Sequence, residues 1–118
     1  MPLTAAEHEV TGWSEAIEAY FERGWTDGLP VVPATAEAVS RFLEAAGRKP
    51  DDVVLRESTR RRTITAEKIA INAVMAGCRP EYMPVLLAAL TTSDLGWPTP
   101  DTPVLASGHA AGRPRSGR

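Results

Sequence analysis

Apolar residues recur along this chain at helical spacing in four stretches, separated by short runs rich in glycine, proline and β-branched residues. In the first, Gly12 to Arg23, a stripe of Trp13, Ile17, Tyr20 and Phe21 is expected to pack in the core, with Glu15, Glu18 and Glu22 facing water. Thr11 or Ser14 can cap its start, and Gly24 is placed to end it, because a left-handed residue costs glycine nothing. A second helix is predicted from a Thr35 cap to about Ala46, with Val39, Phe42 and Leu43 inward and Gly47 closing it. The third runs from Ala66 to Ala76 between Thr65 and Gly77. The fourth opens at Pro80, a residue suited to a first turn, and reaches about Leu90. Its apolar face is read as Val85, Leu86, Ala89 and Leu90, and Pro84 lies early enough to reset its start without breaking it.

Between these helices two short strands are expected. Asp27-Gly28 signals a turn, after which Pro30 and Pro33 bracket the β-branched pair Val31-Val32, the mark of an edge strand. Val53-Val54-Leu55 gives the second, and strand, helix, strand over Leu29 to Leu55 reads as a small parallel unit. Arg60-Arg61-Arg62 is placed in a loop, either as solvated surface or as an anion site near the next helix start. The pattern therefore predicts a small, helix-rich α/β protein of about four helices with one or two short strands over residues 1–90. Residues 91–118, with four prolines and little to bury, are expected to form an extended tail that a partner would order.

Composition sharpens this picture in three ways. At 118 residues the chain makes at most one domain, and a core poor in aromatics (6%) is modest, so burial against another subunit is expected. Thirteen basic against fifteen acidic residues, net −2, argues against nucleic acid as the main partner. A single cysteine excludes an internal disulfide and fits a reducing compartment. The start MPLTAAEHEV lacks a signal-peptide pattern, and no apolar run nears the roughly 20 residues a membrane span needs, so a cytoplasmic protein without a membrane role is expected.

Candidate chemistry gathers on the third helix. Lys68 and Asn72 lie one turn apart at the edge of its apolar face, where a plain core helix needs neither. Lys68 can clamp an anionic substrate and Asn72 orient it. Alternatively, Lys68 lays its stem over the core and Asn72 bonds nearby backbone. Cys78 sits between two helices beside Arg79, where it is either a small buried hydrophobe or a reactive thiol. Trp25 offers a flat wall to a small-molecule substrate, with Asp27 and Glu67 as further substrate-binding candidates, although Asp27 can simply cap its own turn. His8 and His109 fall in the chain's ends, where no Cys–His pair can be argued, and no metal-ligand spacing or phosphate-cradling glycine loop is seen. A cofactor cannot be named from these residues.

Three segments, WTDGLPVVPAT (Trp25 to Thr35), DDVVL (Asp51 to Leu55) and EKIAINAVMAGCRPEYMPVLLAAL (Glu67 to Leu90), carry a resemblance. Over about residues 13–90 the chain resembles the N-terminal part of a family of largely uncharacterised bacterial proteins. Members of that family are found alongside, or joined to, UGSC-type selenoproteins or their cysteine versions. The resemblance implies thiol, redox-linked or lyase-type chemistry. Typical relatives continue into a larger α/β portion, where this chain has its Pro/Gly/Arg-rich tail. It therefore implies a small subunit of a heteromeric enzyme whose active site, with Lys68, Asn72 and Cys78, a second protein subunit completes. A noncatalytic stabilising or regulatory subunit is the other expectation.

Overall fold

The computed structural model describes residues 2–57 and 60–92, except for the side chain of Thr92. The predicted tail lies, from residue 93 on, outside the described residues. Four α-helices, α1 (Trp13–Glu22), α2 (Ala36–Ala46), α3 (Ala66–Met75) and α4 (Met83–Thr92), accompany two strands, β1 (Val53–Glu57) and β2 (Arg62–Thr65). The class is helix-rich α/β, as the pattern predicted.

Helix ends follow local chemistry closely. Thr35 and Thr65 adopt extended backbone and accept from the amides of Ala38 and Lys68, each satisfying one donor that the first turn leaves free. The first three helices close on the same device. The amides of Trp25, Arg48 and Cys78 reach back to the carbonyls of Tyr20, Leu43 and Ala73, around glycines 24, 47 and 77 at φ +69°, +61° and +77°. This double-bonded end needs a left-handed residue, which only glycine supplies without strain. At α1 neither Thr11 nor Ser14 caps with its side chain. Instead the Thr11 amide donates 2.6 Å to the Glu15 carboxylate.

The core is a contact of α2 with α3 and α4. Val39, Phe42 and Leu43 meet Ile69, Val74, Met83 and Leu87, and alanines 66, 70 and 73 let α3 approach closely. The predicted inward residues of α2 are all buried. On α4 the inward line is Met83, Leu87 and the half-buried Leu86 and Leu90, while Val85 is 70% exposed. A 3₁₀ turn at Pro80–Tyr82 delays α4 to Met83 and sets its phase from that residue, leaving Val85 and Ala89 outside. On α1 the expected stripe is also corrected. Ala16 is buried and Ala19, Tyr20 and Ile17 are half-buried, but Trp13 and Phe21 stand 61% and 53% exposed. The helix turns its small residues toward the body.

The parallel unit does not form. β1 pairs antiparallel with β2, its neighbour in sequence, with a register shift between Val53 and Leu55. Arg62 therefore belongs to a strand, and Arg61 takes a left-handed turn conformation (φ +51°). A hairpin needs only a tight connection, which favours it over a crossover between short strands. Among the described residues Val31-Val32 has no strand partner. The Val32 amide instead donates 3.2 Å to the Met75 carbonyl at the end of α3. Flanking prolines supply no donors, so this segment simply runs extended beside α3.

Candidate functional site

Consecutive residues on a helix diverge by about 100°, and α3 uses this to divide its polar side chains between two hollows. A first cleft, of about 870 Å³, lies among the N-terminal segment, α1, the 33–36 stretch and α3. Trp25, Glu67 and Asn72 line it. A second, of about 920 Å³, lies among β2, α3 and α4, and Lys68, Asn72 and Cys78 line it. Asn72 thus borders both, and Lys68, Asn72 and Cys78 do share one cavity. Asp27 lines neither. Its carboxylate accepts from the Leu29 amide at 3.2 Å, so it caps its own turn.

In the first cleft Trp25 is placed by the end of α1. Its amide closes that helix, and its indole meets Tyr20 edge-on at 5.4 Å. The Tyr20 hydroxyl accepts from the Ala34 amide at 2.9 Å, tying α1 to the start of α2. Over the same indole lie the Arg23 guanidinium, 5.2 Å from the ring centre, and the His8 imidazole at 5.7 Å. His8, Tyr20 and Arg23 are therefore site candidates that sequence reasoning missed. His8 falls in the chain's N-terminal end, where no sequence spacing links it to Trp25, whereas the glycine stop between Tyr20 and Trp25 is the signal that pairs those two.

Glu67 forms the floor of this cleft, buried at 2% exposure. Its Oε1 accepts from the amides of Thr4 and Ala5, both at 2.9 Å, and Oε2 accepts from the Thr4 hydroxyl. Burial alone would raise its pKa. The hydrogen bonds from the Thr4 side chain and from the two amides outweigh this and hold the carboxyl below its ordinary value. Both oxygens are thus engaged by the N-terminal segment, not by an open substrate position.

The second cavity combines charge with apolar surface. Arg62 and Lys68 bring two cations, Thr63 and Asn72 bring polar groups, and Ile69 and Leu86 bring apolar wall. Asn72 donates 2.8 Å to the Lys68 carbonyl through Nδ2, which leaves its Oδ1 as the acceptor. Cys78 is half-buried against the core, at the residue after the Gly77 stop, where a small apolar contact is usual. No carboxylate or imidazole lines this cavity among the described residues. Nor do three His, Cys, Asp or Glu side chains gather anywhere among them at metal-binding separation. No described helix is long and apolar enough to cross a membrane. Compared with protein-family models, curated proteins and solved structures, the chain matches none of them.

Proposed function

We propose that the chain is a small subunit of a heteromeric bacterial enzyme, contributing Lys68, Asn72 and Cys78, together with Arg62, to a site that a partner chain completes. The observation that carries this reading is the composition of the second cavity: two cations, an amide and a thiol, with no general base among its described lining residues. Arg62 and Lys68 suit an anionic substrate. A thiol needs a base or a strongly electropositive setting to act as a nucleophile, and since no described residue at this cavity is such a base, the reading assigns that role to the partner chain. Partner binding is further supported by Trp13, Phe21, Trp25, Leu29 and Val32, which α1 and the loop after it leave 41 to 69% exposed. The resemblance to proteins associated with UGSC-type selenoproteins agrees with thiol-linked chemistry.

The test is a crosslink from Cys78. A maleimide-linked photoreactive group on this single thiol, irradiated in the assembled complex, should join the chain to its partner. Links confined to the chain itself would contradict a partner at this cavity.

A second reading, a noncatalytic stabilising or regulatory subunit, is favoured by the structural employment of Asn72 and Cys78. One amide proton of Asn72 is spent on its own helix, and Cys78 serves a helix end. In that case Cys78→Ser leaves turnover of the complex unchanged.

A further inference from the structure

The N-terminal segment is fastened to the body in an unusual way. From Thr4 to Val10 its residues are exposed and belong to no helix or strand, yet they form one wall of the first cleft. Leu3 packs on the core, His8 lies on the Trp25 ring, and the hydrogen bonds from Thr4 and Ala5 converge on the single carboxylate of Glu67.

We propose that Glu67 is a latch: it positions residues 3–10 as a detachable wall of the first cleft, so that strap and cleft open together. This goes beyond the reading of the second cavity and does not depend on it. Convergence is what makes a latch. Three bonds spread over three acceptors would fail one by one, whereas three bonds to one carboxylate are lost together when that group changes. Glu67 is otherwise hard to explain, since a carboxylate is seldom buried without a partner that needs it. Release takes His8 off the indole and turns both carboxylate oxygens toward the cleft. A largely apolar cleft then becomes a wider one with a negative charge on its floor. Glu7, His8 and Glu9 of the N-terminal segment, Tyr20 of α1 and Arg23 just after it are the other ionisable groups among the described residues that line it.

The test uses the full chain and backbone amide exchange resolved residue by residue. Glu67→Gln retains shape but removes the charge and one acceptor oxygen, and Thr4→Val removes only the hydroxyl, in case the first variant does not fold. Exchange at Thr4 and Ala5 should accelerate at least about tenfold in Glu67→Gln, the factor expected for losing one hydrogen bond to a charged group. Thr4→Val should show a smaller acceleration at the same amides, and Thr4→Ser should restore wild-type rates. Amides of α2, α3 and α4 should keep their protection in all three variants. Unchanged exchange at Thr4 and Ala5 overturns the latch. So does equal acceleration over the whole chain in Thr4→Val, which would make the contact part of the global fold.

Discussion

Removing the Tyr20 hydroxyl tests how the first cleft is held together. In Tyr20→Phe the Ala34 amide loses its acceptor, now at 2.9 Å in a half-buried setting. An ordinary hydrogen bond contributes about 0.5–1.5 kcal/mol net, and an amide left unsatisfied costs about 1–3 kcal/mol. Water reaches a half-buried amide in part, so the expected loss is about 1–1.5 kcal/mol. Tyr20→Leu also removes the edge contact with Trp25 at 5.4 Å, which adds about 0.5–1.5 kcal/mol. Urea unfolding of the purified chain should show both midpoints lowered with the slope unchanged, and Tyr20→Leu lowered about twice as far. The Ala34 amide should lose protection in both variants. If the unfolding free energies of both variants lie within about 0.3 kcal/mol of wild type, α1 is not fastened through Tyr20, and the position of Trp25 needs another cause.

Further outcomes follow from the second cavity and from Glu67. Lys68→Met keeps most of the side-chain length and helix propensity, so folding and assembly should survive. Affinity of the complex for an anionic substrate should fall at least about tenfold, measured by calorimetry. Asn72→Leu should leave stability within about 0.5 kcal/mol of wild type in thermal melts, because the amide is exposed and bonds only its own helix. The depressed pKa of Glu67 fixes the sign of its pH dependence. Folding holds this carboxylate below its unfolded value, so its contribution is complete above the ordinary carboxylate range and is lost as pH falls through the depressed value. The Thr4 amide resonance should therefore keep its bound position through the ordinary carboxylate range and move only at lower pH, as Glu67 takes up its proton.

Much of the fold was legible because the signals are local. Thr35, Thr65 and the three helix-ending glycines act within one turn of their own position, and α2 has a single apolar stripe with nowhere else to go. Where two local readings were equally good, tertiary packing chose between them. On α1 the large stripe of Trp13 and Phe21 competed with the small one of Ala16 and Ala19, and close approach to the body favoured the small one. Val31-Val32 and Val53-Val54 carry the same β-branched signal, but only the second has a partner strand within hairpin reach. The pairing of Lys68 with Asn72 was legible from helix spacing, whereas Cys78 joins their cavity only because the chain turns after Gly77 and α4 closes the far wall. The Glu67 latch was not legible, since its partners lie 62 and 63 residues away and no spacing rule joins them.

Intact-mass measurement of the chain purified under native conditions from cells that also produce its partner bears most directly on the proposed subunit role. A complex heavier than the 12.7 kDa chain by a second polypeptide in fixed stoichiometry is the predicted result. A 12.7 kDa monomer that carries no second polypeptide, although the partner is present in the same cells, would contradict it.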